Sequence, residues 1–134
     1  MERFLGKYSP HLYAVLRIVV GLMFAMHGSQ KLFGWPGTKH PGLPPLLIAG
    51  GVIELVCGIM IALGLLTGCA AFVASGEMAV AFFKQHLPGG WLPIMNGGEA
   101  AVVYCFLFLY MAAQGSGVWS IDALMRRGPK ARAR

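Results

Sequence analysis

The stretch LPPLLIAGGVIELVCGIMIALGLL, residues 43–66, carries a single charged side chain, Glu54. At about 1.5 Å per residue, a helix of this length crosses a hydrocarbon core of roughly 30 Å with slack for tilt. No segment of the chain alternates apolar and polar residues for long, and a barrel strand needs only about 10 residues, so strands are the losing alternative. Glu54 sits about ten residues from either end, too deep for a short side chain to reach the headgroups. A charge at mid-bilayer costs at least about 2.5–3.5 kcal/mol on insertion scales, so such a residue faces other helices and finds a partner there. One acid in this stretch therefore implies a bundle around it.

The rest of the composition agrees. Of 134 residues, 57% are hydrophobic and 12% charged, with a mean hydropathy of +0.65, where a soluble domain has about 25% charged residues. A water-soluble core of this size could not hide so much apolar surface. Three further apolar stretches, 10–33, 68–86 and 93–114, join 43–66. Each is about 19 to 24 residues long, enough for one crossing.

The expected fold is therefore all-α: a four-transmembrane-helix bundle, antiparallel and up-down-up-down. It occupies residues 10–124, after a cytoplasmic amino-terminal segment, 1–9, and before a basic cytoplasmic tail, 125–134. Ser9-Pro10 reads as a cap followed by proline at the first helical position, and GWPGTKHPGLPP (34–45) as a connector. LLTGC (65–69) reads as a tight hairpin with Thr67 as a cap, and HLPGGWLP (86–93) as a loop whose Trp91 suits an interface. Ser120, two residues before Asp122, fits the cap of a short cytoplasmic helix.

Charge gives an orientation. The formal net charge is +6, and MRRGPKARAR (125–134) concentrates five of the cations, with Arg3 and Lys7 at the other end. Both termini are expected on the cytoplasmic side of the inner (plasma) membrane, and an even number of crossings agrees by returning the chain to its starting side. Lys31, Lys39 and His40 after the first helix weaken this asymmetry without reversing it. The basic tail lacks aromatic interleaving and lies beside a membrane, which favours lipid over nucleic acid. No cleavable signal peptide is expected, because the first apolar run is too long and contains Arg17. Cys57, Cys69 and Cys105 fall on three segments with no CxxC pair and no metal or haem spacing, so no metal site is expected.

The polar residues inside the helices carry the functional information. At about 100° per residue, Arg17, His27 and Lys31 fall on one stripe of the first helix, with Gly21 and Gly28 beside it where another helix can approach. Glu54, Glu77 and Glu99 bring one acid from each of the other helices, and Asn96 lies one turn before Glu99. Depth along each helix predicts an outer cluster of His27, Lys31, Glu54, Asn96 and Glu99, with Arg17 and Glu77 nearer the inner side. Lys31 also fits a snorkelling helix end. The aromatic residues of 102–111 read as packing.

LRIVVGLMFAMHGSQKLFG (16–34), GGVIELVCGIMIALGLLTG (50–68) and residues 76–124, with NGGE at 96–99, together resemble the DoxX family of small four-helix membrane proteins. The resemblance covers nearly the whole chain except the first nine residues and the basic tail. Family members commonly carry an arginine after the threonine of the second run, where this chain has Gly68. The family pattern points to Arg17, His27, Gln30, Lys31, Glu54, Asn96 and Glu99. Among its relatives are subunits of an archaeal thiosulfate:quinone oxidoreductase and a mycobacterial membrane component grouped with detoxifying redox enzymes.

The resemblance thus implies a subunit or partner of a quinone- or sulfur-linked redox complex, with a quinone as the candidate cofactor and no redox centre of its own. Two other classes stay open. One is a non-catalytic membrane anchor or assembly partner, with a protein partner or a second copy of the chain. The other is a proton-linked carrier, against which stands the lack of an internal repeat.

Overall fold

The computed structural model describes residues 1–37 and 41–128. Lys39 and His40 of the first connector, and Lys130, Arg132 and Arg134 of the basic tail, lie outside the described residues. Among the described residues every regular element is helical and no strand occurs. Four long helices, α1 (Ser9–Phe33), α2 (Pro45–Leu63), α3 (Thr67–Ala81) and α4 (Glu99–Gln114), are followed by a short one, α5 (Ile121–Arg126). Among the described residues, two helical stretches are long and apolar enough to cross a membrane, Glu2–Phe33 and Pro45–Leu63.

The first of these spans begins earlier than the Ser9-Pro10 signal suggested. A helical turn, Glu2–Leu5, and a 3₁₀ turn, Gly6–Tyr8, lead directly into α1, and the Ser9 side chain caps nothing. Pro10 has no N–H to give to the Gly6 carbonyl. The Ser9 N–H takes that place through the tighter 3₁₀ bond, so the chain passes the proline without breaking.

α2 is shorter than the apolar run that encodes it. Pro45 holds Pro44 extended (ψ 149°) and so fixes the start. Gly64 ends the helix in the left-handed region (φ 70°), donating to Met60 and Ile61 carbonyls. The expected Thr67 cap is absent. Leu66 precedes α3, its N–H is received by the Asp122 carboxylate at 2.9 Å, and the Thr67 hydroxyl is buried without a partner. Beyond Ala81 the helix widens into a π turn, Phe82–His86.

The fourth apolar run, expected as one helix, is broken. A single turn, Pro93–Asn96, stops at Gly97 (φ 74°), and α4 begins afresh at Glu99. The Asn96 side chain supports this break, accepting from Gly98 N–H and donating to the Gly90 carbonyl, both at 2.8 Å. Ser120 caps α5 as its sequence suggested, accepting from Ala123 N–H at 3.1 Å.

α1 packs most extensively on α2, α4 on α3, and α2 on α3. At the α1–α2 contact the two backbones nearly touch. A Cβ added at Gly21 would lie 2.6 Å from Ala62 N and 2.7 Å from the Gly58 carbonyl, and one added at Gly58 would lie 2.5 Å from Ala25 N. Gly28 meets Gly51 and Leu55 in the same way, so residue numbers rise on α1 as they fall on α2. Phe24 of α1 and Phe108 of α4 meet edge to face at 4.6 Å and, with Ile61 and Met111, form the fully buried centre. The outward faces stay apolar, as Leu12, Val15, Val19, Leu22 and Met26 show on α1, which suits lipid.

Candidate functional site

A cavity of about 590 Å³ lies where one face of each long helix converges. Phe24, His27 and Lys31 recur on α1 at helical spacing, as do Gly50 and Glu54 on α2 and Gly76 and Val80 on α3, while Ala101 and Tyr104 close the side from α4. Most of the wall is apolar. Its volume lies within the usual range for a small-molecule site, roughly 300–1,000 Å³.

The polar floor is built from three helices. Lys31 Nζ donates to Glu54 Oε1 at 2.7 Å, with Glu54 only 3% exposed and Lys31 31%. Glu77 of α3 reaches over Gly50, where an added Cβ would lie 3.1 Å from Glu77 Oε1. The second oxygens of both glutamates, Glu54 Oε2 and Glu77 Oε2, are buried and have no protein partner. An unmatched buried polar atom costs about 1–3 kcal/mol, and more when charged. His27 stands at the exposed rim, its ring edge-on to Tyr104 at 6.2 Å, with Lys84 and His86 of the π turn along the same mouth. Such a site can hold a small molecule by its polar end while apolar walls enclose the rest.

The remaining residues singled out by sequence go elsewhere. Arg17 is fully buried at the opposite end of α1. Its Nη1 donates to the Ile61 and Ala62 carbonyls at 2.6 and 2.8 Å, and its Nη2 to Trp119 O at 2.7 Å. It closes the end of α2, whose unpaired carbonyls carry the negative end of the helix dipole. Gln30 donates to the Pro36 carbonyl at 2.9 Å and ties down the connector. Asn96 holds its own loop, and Glu99 is exposed in the first turn of α4, so neither lines the cavity beside His27, Lys31 and Glu54, with which an outer cluster was expected.

Glu77, placed by depth with Arg17, sits instead with Lys31 and Glu54. α3 and the π turn together span 67–86, close to the expected 68–86, so Glu77 stands near the middle of the helix, and its packing over Gly50 of α2 is what joins it to that pair. Tyr104 and Gly50 were not singled out by sequence. Gly50 lies one turn before Glu54, a spacing that does mark a small residue on the acid's own face. Tyr104 gave no such signal, being one of several aromatic residues in an apolar run. Among the described residues, no three His, Cys, Asp or Glu side chains group in a way that could hold a metal.

Comparison with known proteins gives the setting. The DoxX family model matches residues 12–87. An uncharacterized protein of Haemophilus influenzae is 46% identical over 126 residues, which is 88% of this chain and 93% of that protein. An uncharacterized membrane protein of Mycobacterium tuberculosis is 30% identical over 90% of this chain and 85% of its own length. A Bacillus subtilis protein named "Putative oxidoreductase CatD" is 26% identical over 87% of this chain and 88% of its own. No solved structure matches the chain.

Proposed function

The chain belongs to the DoxX family of membrane proteins, and from that premise we propose that it is a ligand-binding subunit of a quinone- or sulfur-linked redox system. In this reading it crosses the inner (plasma) membrane four times, up-down-up-down, with both termini cytoplasmic and the cavity toward the outer side. The observation that carries the reading is the cavity itself, an apolar chamber whose floor holds Lys31, Glu54 and Glu77. The oxidoreductase name of the Bacillus relative points the same way.

The residues present fit a quinone-type ligand. Phe24, Ile53 and Met78 offer apolar wall for a ring and tail, Lys31, His27 and Tyr104 offer donors, and the free oxygens of Glu54 and Glu77 offer acceptors. Such a ligand supplies the electron-carrying chemistry that these side chains lack. The chain's own part is to position the polar end and to hold or move a proton at the glutamate oxygens and at His27.

The test is purification in mild detergent followed by mass spectrometry of co-purifying small molecules and polypeptides. The reading expects a lipophilic quinone or sulfur compound with the native protein. His27→Gln should retain at least threefold less of it while folding normally. Recovery of phospholipid and partner polypeptides alone would replace this reading with that of an assembly partner.

A further inference from the structure

The hydrogen-bonding needs of the cavity are unequal between its floor and its mouth. Glu54 accepts from the Lys31 ammonium through Oε1 at 2.7 Å, and a carboxylate in such a pair offers acceptors only. Its other oxygen is buried with no protein partner, and so is Oε2 of Glu77. Glu54 lies one turn after Gly50 on α2, and helical side chains lean toward the start of their helix. Glu77 reaches Gly50 from α3, and a Cβ added at Gly51 would lie 3.1 Å from Lys31 Cβ. Lys31, Glu54 and Glu77 thus converge beside Gly50 and Gly51. Of the donors, His27 is exposed at the rim and Lys31 is partly exposed, where solvent and headgroups can also satisfy them, and Tyr104 stands on the α4 wall. The deep end of the cavity calls for donors rather than acceptors.

We propose that the cavity recognises its occupant through hydrogen-bond donors aimed at Glu54 and Glu77, so that a hydroxyl- or ammonium-bearing head binds in preference to a carbonyl-bearing head of the same shape. This rests on the ligand-binding reading above and adds which member of a redox couple the site holds. For a quinone couple, the quinol binds more tightly.

The native protein in lipid nanodiscs, with protein-free discs as the blank, is titrated without oxygen by calorimetry with decylubiquinol, decylubiquinone and decylammonium. The quinol is expected to bind at least tenfold more tightly than the quinone. Glu77→Gln should narrow that gap to under threefold, chiefly by weakening the quinol. Gly50→Ala, which displaces the Glu77 carboxyl without removing it, should narrow it in the same direction. Quinone binding as tight as quinol, or an unchanged gap in both variants, overturns the proposal and leaves the redox reading in place. Decylammonium binding more tightly than either keeps the donor rule and removes the redox reading. Binding of none of the three above the blank overturns both.

Discussion

Two cations on α1 meet different fates because their head groups differ. The planar fork of Arg17 matches several carbonyls at once, whereas the compact ammonium of Lys31 makes one short bond to Glu54. Because Lys31 is partly exposed, the bond is expected to contribute about 1.5–3 kcal/mol, the range for a hydrogen bond to a charged group, and less where solvent screens it. Lys31→Met should therefore destabilise the protein in detergent unfolding, and pairing it with Glu54→Gln should recover part of the loss. Strict additivity of the two changes would return Lys31 to a snorkelling helix end. The same cycle with Glu99→Gln should be additive, since Glu99 is exposed and away from the cavity.

Asp122 is a second residue whose charge does structural work: the Ser116 hydroxyl, and after it the Leu66 N–H, hold its carboxyl below the ordinary 3.8. A depressed value means stability that is present above the ordinary pKa and lost as pH falls through the folded one. The melting temperature should drop below about pH 4 in the native protein, and Asp122→Asn should flatten that acid limb. An equally steep limb in Asp122→Asn would assign it to other carboxylates. Lys31 and Glu54 could be singled out from sequence because a charge in an apolar run stands out. Their convergence with Glu77 could not, since it depends on which face of α3 packs against Gly50 of α2.

At the scale of elements, the α1–α2 contact is set by glycines that no side chain can replace without moving backbone. A methyl at Gly58 meets Ala25 N and the Gly21 carbonyl, whereas one at Gly76 of α3 meets nothing within 4 Å. Gly58→Ala should destabilise by about 1–3 kcal/mol, the usual cost of overpacking. Gly76→Ala should be neutral or stabilising by up to about 1 kcal/mol through helix propensity. Unfolding in mixed detergents measures both, and the reverse order would contradict the close approach of α1 and α2.

The apolar runs announced that these helices exist, because lipid demands long uninterrupted segments and leaves that demand in the sequence. Their ends were harder to read. Ser9 and Thr67 both look like caps, yet Pro10 is passed through a 3₁₀ turn and Leu66 is held by Asp122, a residue 56 positions away. The break at Gly97 was hidden because Asn96 and Glu99, read as one turn of a single helix, in fact flank a loop closed by the Asn96 side chain.

For the whole molecule, α3 decides how many helices cross the bilayer. Glu2–Phe33 and Pro45–Leu63 pass the length and hydropathy requirement outright. The 15 residues of α3 and the five of the π turn together reach about 30 Å, just enough for the hydrocarbon core. α4 has 16 residues, about 24 Å, and needs the turn at Pro93–Asn96 or local thinning to span. If α3 crosses, its two ends lie on opposite sides of the membrane.

Both ends of α3 offer exposed positions for a test, Leu66 at 56% and Trp91, just beyond the π turn, at 84%. In a chain whose three native cysteines are replaced, a cysteine at Leu66 should resist a membrane-impermeant maleimide in intact cells and react after lysis. A cysteine at Trp91 should react in intact cells. The reverse pattern would invert the orientation drawn from the basic termini and place the cavity on the cytoplasmic side. Equal labelling at both sites would mean that α3 lies along one face, leaving two crossings and a cavity roofed by interfacial rather than spanning helices. The cavity's access route follows from the same result, because its mouth, with His27, Lys84 and His86, lies at the Trp91 end of α3.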